Sequence, residues 1–214
     1  FRTLMRLSQS GDPTVRAHVE DNLAIRMYDG FPPRLLSDFS QDVVVGAVAK
    51  AKVINATLRD AVQALIAQAS PNELDRLSQT QDREIRIVVA RRAPNDTLKK
   101  LVFDTDGDVA NIAYDKLVSE LSADDLGQLV ERSPHESIRL KVARHPNTSR
   151  DALIRLAVGR HTETSTHRLV YGGESERPPL VAYNRMLTIS GITREERIRL
   201  AESVNHDVFL QLTY

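Results

Sequence analysis

The chain of 214 residues contains no cysteine and no tryptophan. The first absence excludes disulfides, cysteine-ligated zinc, iron–sulfur clusters and thiol nucleophiles together. It fits a reducing compartment, and the cytoplasm is the expected location. Five Tyr and five Phe are the only aromatics, too few to build stacking platforms for single-stranded nucleic acid. Charge of one sign is also missing: Lys plus Arg and Asp plus Glu are 29 each. That balance argues against a general nucleic-acid binder, which carries a basic excess. No apolar run approaches the roughly 18 residues that span a bilayer, so no membrane role is expected. The chain starts at Phe1 rather than Met, and it is read as a piece of a longer protein.

What is present is a repeated phrase, clearest in Ile138 to Leu156, IRLKVARHPNTSRDALIRL. Ile138 and Val142 are four apart and share one helical face, with Ala143 beside them. Pro146 cannot continue a helix and biases His145 away from helical angles. Asn147 suits a turn, and Thr148 or Ser149 can cap a second helix whose stripe carries Leu153 and Leu156. A helix pair this short cannot bury both stripes alone and needs a neighbour on each side.

The same grammar recurs along the chain: a leucine, an Asp-rich turn, then a β-branched anchor eight positions on. Leu7 leads to Val15, Leu36 to Val44, Leu77 to Ile85, Leu101 to Val109 and Leu200 to Val208; Leu129 leads to Ile138 one residue later. Four past each anchor stand Val19, Val48, Val89, Ala113, Val142 and Leu212. Leu4, Leu74, Leu98 and Leu126 precede four of the leucines by three positions. Anchor spacings from Val15 to Ile138 run 29, 41, 24 and 29 residues. The long interval predicts an extra helix over about Asn55 to Gln68. After Leu156 the unit degenerates: Leu169 and Val170 can fill core positions, but Ser165 sits at the anchor. A loop follows from Gly172 to Pro179, then a helix at about Leu180 to Thr188. Thr193 with Glu196 makes a capping box that opens a last helix pair over 193–214. The expected organisation is one helical-repeat domain over 1–214, regular from about 4 to 157. Both ends are expected to be trimmed or covered, because a bare repeat end exposes core.

VARHPNTSRDALIRLA (Val142 to Ala157) and VARRAPNDTLKKLVFDTDGDVANIA (Val89 to Ala113) resemble the leucine-rich repeat variant family, and the wider grammar is similar to HEAT-like repeats. The resemblance covers about Leu4 to Leu156 with interruptions, and Arg197 to Tyr214 more faintly. It implies an all-α, right-handed solenoid of short helix pairs. In the variant family such repeats occur with an iron–sulfur domain; this chain has no cysteine, so no such cofactor carries over. HEAT-like arrays include scaffolds, DNA-repair glycosylases and pigment lyases, so the resemblance speaks to fold more than to function.

The turns carry acids and arginines. Asp12 before Pro13 reads as a helix start, with Asp82, Asp108 and Asp207 as its counterparts. Arg16, Arg86 and Arg139 follow their anchors. Asp12 with Arg16, and Asp82 with Arg86, are four apart and able to pair along a helix. One reading is an Asp–Arg ladder tying neighbouring turns; the other is a row of arginines for an anion. His161, Glu163 and His167 offer two imidazoles and a carboxylate, without the i, i+4 spacing of helical metal ligands. Asp104, Asp106 and Asp108 alternate as in a calcium loop, but Val109 and Asp115 stand where that loop needs Gly and Glu. No catalytic centre, cofactor or metal is expected.

The expected function is therefore an interaction scaffold. The position six past each anchor, Asp21, Lys50, Arg91, Asp115, Arg144 and Tyr214, is expected to point away from the core. It alternates in sign, unlike the stripe a phosphate backbone selects. The position three past reads His18, Ala47, Val88, Ile112 and Lys141, with an apolar centre. By fold-level analogy the second helices line a concave groove. Val88, Arg91, Ile112, Asp115, Lys141 and Arg144 are the candidate contacts for a protein or peptide. The alternative is a nucleic-acid-binding HEAT-like module.

Overall fold

The computed structural model describes residues 2–28, 31–52, 54, 56–158, 178–188 and 193, and these form helices joined by short turns, with no strand among them. Two compact units divide the chain, Phe1–Leu117 and Val118–Tyr214. The first holds α1 (Arg2–Ser8), α2 (Pro13–Tyr28), a 3₁₀ segment (Pro33–Asp38), α3 (Gln41–Lys50), α4 (Ala56–Gln68), α5 (Pro71–Leu77), α6 (Arg83–Ala90), α7 (Asn95–Leu101) and α8 (Gly107–Leu117). The second holds α9 (Ala123–Arg132), α10 (Glu136–Arg144), α11 (Arg150–Val158) and α12 (Pro178–Thr188). The described residues are all-α, with α-helices of 7 to 16 residues.

The apolar template sets the cores. In the first unit Val19, Val44, Val48, Leu77, Ile85, Val89, Leu101, Val109 and Ala113 are all buried. In the second, Leu126, Leu129, Ile138, Val142, Leu153 and Leu156 are buried too. Leu7 and Val15 are only half-buried. The inserted helix expected at Asn55 to Gln68 is α4, which packs on α6 and on the 3₁₀ segment and buries Leu58, Val62 and Ile66.

The capping acids do what their positions suggest. Asp82 Oδ1 accepts from the N–H groups of Glu84 and Ile85 at 2.9 and 3.2 Å. Its Oδ2 accepts from Ile54 N–H at 2.9 Å, which ties the turn before α4 to the start of α6. Ser70 with Glu73 and Ser122 with Asp125 complete capping boxes on α5 and α9. At α8 the cap is Asp106, not Asp108: its Oδ1 accepts from Asp108 N–H and Val109 N–H at 3.0 and 3.2 Å. Of the two candidate caps for α11, Ser149 does the work, accepting from Ala152 N–H at 3.2 Å. Thr148 instead donates back to the Val142 carbonyl.

The expected Asp–Arg ladder takes a different form. The helix-start aspartates Asp12 and Asp82 are occupied by N–H groups, so Arg16 and Arg86 turn back on the chain, and Arg139, whose helix has His135 at its N-cap, does the same. Each donates through Nη1 to the carbonyl six residues earlier, Ser10, Thr80 and Ser133, at 3.2, 2.9 and 2.7 Å. Arg86 also forks onto Asp104, the turn acid of the next helix pair, with Nε to Oδ2 at 2.8 Å and Nη2 to Oδ1 at 3.1 Å. Arg83 pairs with Asp106 at 2.7 Å and also with Asp108. The acids of the calcium-like turn are thus engaged by two arginines and by the cap.

Acid should loosen these turns. Burial alone would raise the Asp106 pKa, but the Arg83 hydrogen bond, with those from Val109 and Asp108 N–H, outweighs it and holds the carboxyl below its ordinary 3.8. Glu73, also opposed by burial, is held below 4.5 mainly by its hydrogen bonds from Ser70. A depressed folded-state pKa contributes stability that is present above the unfolded value and lost as pH falls through the folded one. Thermal melts should therefore keep their midpoint from neutrality to about pH 5 and lose it progressively below the unfolded values of 4.5 and 3.8. Asp106→Asn should show a shallower acid fall than the parent; an equal slope would mean that this cap adds nothing.

One helix lies where the offset rule does not look. After α11, α12 packs on both α11 and α10, as α8 packs on both α7 and α6. The second helix of this pair is thus α12, with Ala182 and Met186 buried four apart. It begins at Pro178, two residues before the expected start, and Pro at the first helical position is favourable there. Leu169, Val170 and Ser165, with Gly172 and the rest of the loop up to 177, lie outside the described residues. So do His161, Glu163, His167, and, beyond Thr193 itself, the Thr193–Glu196 box and the helix pair over 193–214.

Candidate partner-binding faces

Helix ends within each unit are tied to neighbouring chain by a device that the template does not contain. Seven past the anchor stand Arg92, Lys116 and His145. Arg92 Nη1 donates to the Ala67 carbonyl near the end of α4 at 2.8 Å. Lys116 Nζ donates to the Arg91 carbonyl at the end of α6. In the second unit, His145 Nε2 donates to the Val118 carbonyl at 2.9 Å, and its Nδ1 accepts from Asn147 N–H at 3.2 Å, which assigns the Nε2–H tautomer. Arg185 on α12 caps α10 in the same way, donating to the carbonyls of Ala143 at 2.8 Å, His145, and Pro146 at 3.1 Å. Helix C-termini leave orphan carbonyls and a partial negative charge, and N–H donors satisfy both.

This fastening sets the register of α6 and α8. Arg83, the first residue of α6, pairs with Asp106 and Asp108 at the start of α8, while Lys116 near the end of α8 reaches the end of α6. The helices therefore run parallel. One helical turn back from the Lys116–Arg91 contact along each helix lie Ile112 and Val88, both half-buried. Arg91 and Asp115 are exposed at the same ends. Among the described residues Arg91 has a carbonyl engaged by Lys116 and a guanidinium without an ion pair or hydrogen bond. Asp115 has other interactions of its own. Tyr114, buried between these positions, has its phenol pushed up to about 12 by burial, with a smaller push from Asp115, so it stays neutral.

In the second unit Lys141 is half-buried and Arg144 is exposed, both on α10 and both engaged in interactions. The four candidates on the first unit thus lie on or at the end of the parallel helices α6 and α8, and the remaining two share a helix of the second. Every described member of the column six past the anchor is exposed, as expected. The column three past is not uniform. Ala47 is fully buried because α3 packs against both α2 and α5, which closes its residues Val43 to Val48 into the core.

The first two members of the exposed column are occupied by each other and by a neighbour. Lys50 Nζ lies 2.8 Å from Asp21 and 3.0 Å from Glu20, a buried carboxylate that Arg76 also reaches at 3.2 Å. Burial pulls the Lys50 ammonium down, and its hydrogen bonds to Asp21 and Glu20 outweigh this and hold its pKa above the ordinary lysine value. Sequence reasoning missed Glu20, whose signal is its place one residue past the buried Val19, facing the small Gly46.

A groove of about 470 Å³ lies between α9 and α11, lined by Asp124, Gly127, Glu131, Asp151 and Arg155 among others. Arg155 pairs with Glu131 across it and with Asp151 on its own helix, so its acids are partly neutralised within the unit. Among the described residues no group of His, Asp and Glu side chains is placed to hold a metal ion, and no helix is long and apolar enough to cross a membrane. No family model, curated protein or solved structure matches the chain.

Proposed function

We propose that the chain is a non-catalytic scaffold whose second helices bind a protein or peptide. In this reading the helix pairs of each unit stack as HEAT-like, right-handed solenoid repeats, with Val88, Arg91, Ile112 and Asp115 as one contact face. Lys141 and Arg144 on α10 form a second face of the same kind. The supporting observation is the parallel α6–α8 pair, which carries half-buried Val88 and Ile112 one turn back from Arg91, whose guanidinium has no partner among the described residues. Half-buried apolar side chains rimmed by charge suit a small protein interface, and arginine is enriched at such sites. A phosphate-binding stripe finds less support, because Lys50, a cation of the column, is already held by Glu20 and Asp21.

The test is a photocrosslinker at position 112 with a control at exposed position 25, each introduced in the native host. A discrete crosslinked protein is expected at 112 and not at 25. Arg91→Glu with Arg144→Glu should weaken that partner at least tenfold, about 1.4 kcal/mol. The melting point should hold, since exposed charges contribute about 1 kcal/mol or less. Binding that survives in a folded variant would place the site elsewhere. If the double change instead abolishes binding to a random-sequence DNA duplex, the scaffold reading gives way to the nucleic-acid one.

A further inference from the structure

We infer that the partner of the α6–α8 face is an acidic, apolar peptide segment whose carboxylate seats on Arg91; this rests on the scaffold reading above. The helix ends that meet there carry three cations, Arg91, Arg92 and Lys116, against one acid, Asp115. Two of the cations have defined work: Arg92 on the Ala67 carbonyl and Lys116 on the Arg91 carbonyl. Those bonds answer the negative ends of α4 and α6, where unmet carbonyls concentrate. Arg91 is left over. Its backbone is fixed by the Lys116 contact, while its planar fork of donors stays open, the geometry that grips a carboxylate through two parallel bonds.

The apolar floor fixes the rest of the ligand. Val88 and Ile112 lie one helical turn, about 5 Å, from Arg91 along the helix axes. A ligand that puts a carboxylate on Arg91 can lay one aliphatic or aromatic side chain between them. Two side chains about one turn apart on a short amphipathic helix, or two residues apart in an extended strand, meet this span. A basic segment would meet the three cations and be repelled, which gives the face its selectivity as well as its affinity.

The experiment uses the full chain, immobilised, against phage-displayed random dodecapeptides, followed by fluorescein-labelled copies of the selected peptides. Selected sequences should carry Asp or Glu within four residues of Leu, Ile or Phe. Changing that acid to its amide, or Arg91→Glu in the protein, should each weaken binding tenfold or more. Arg91→Lys should give an intermediate loss, because charge remains and the fork does not. Selection on the Arg91→Glu protein should enrich Lys and Arg in place of the acid. Peptides that bind without an acid, or ignore Arg91→Glu while still protecting position 112 from crosslinking, would overturn the acidic ligand and leave the scaffold standing. No selected peptide, with binding of a labelled DNA duplex instead, would overturn both.

Discussion

Arg86→Met is expected to destabilise the first unit by about 3 kcal/mol, the scale for breaking a buried ion pair by removing one partner. The side chains of Arg86 and Asp104 are only 13% and 9% exposed. Arg86 bonds both oxygens of Asp104 and the carbonyls of Thr80 and Gln81, so one guanidinium ties the turn before α6 to the turn before α8. Methionine fills the volume but donates nothing, and Asp104 keeps its charge with the N–H of Asp106 still bonded to it. Arg86→Lys should fall between, since one ammonium cannot fork onto the carboxylate and serve two carbonyls. Arg16→Met is the internal control. It removes a bond of the same type, to Ser10, without a forked carboxylate, and should cost about 1 kcal/mol. Arg86→Met with Asp104→Leu should recover much of the loss, because the stranded charge goes too. Urea unfolding measures the differences. Hydrogen exchange should show the loss concentrated between residues 80 and 110. Equal costs for Arg86 and Arg16 would mean that the link between the two turns carries no stability.

The contrast between these two arginines marks where the sequence can be read. Both stand one past their anchors, and the apolar template places them correctly. Burial of Leu77, Val89, Leu101, Leu129 and Val142 was legible because the period of a helix repeats in residue type. The carbonyl donors seven past the anchor were not, since Arg92, Lys116 and His145 share an N–H and no residue type. The pairing along each helix was misread for a related reason. Capping consumes Asp82, so Arg86 finds its carboxylate 18 residues on, in a turn whose spacing no local rule supplies. α12 was legible as a helix but not as the partner of α11, because the residues between them break the fixed offset. Of the candidate face, exposure of Arg91 and Asp115 followed from the period. The burial of Ala47 did not, because it depends on α5, which packs on α3 from across the α4 insertion.

Gly46 offers the sharper test, because its substitution should change sign with the residue opposite. Gly46 lies inside α3, where alanine would be favoured by about 1 kcal/mol on helix propensity alone. A Cβ there would meet Glu20 first: its three nearest atoms are the carboxylate carbon and oxygens, all closer than 3.0 Å. The obstacle is the far end of a flexible side chain, so the cost is not a rigid clash. It is the removal of a buried carboxylate, 9% exposed, from between Lys50 and Arg76. Those cations keep Asp21 and Asp42, which limits the loss to roughly 2 to 3 kcal/mol, below that of a charge left with no partner. Gly46→Ala should therefore destabilise the parent by about 1 to 2 kcal/mol after the propensity gain is subtracted. In a Glu20→Ala background the same change should stabilise by about 1 kcal/mol, since the methyl then enters space that the carboxylate has left. The coupling of about 2 to 3 kcal/mol is read from a double-mutant cycle by urea unfolding. Stabilisation in both backgrounds would show that Glu20 swings aside at no cost, and that the contact of α2 with α3 and α5 rests on its apolar side chains alone.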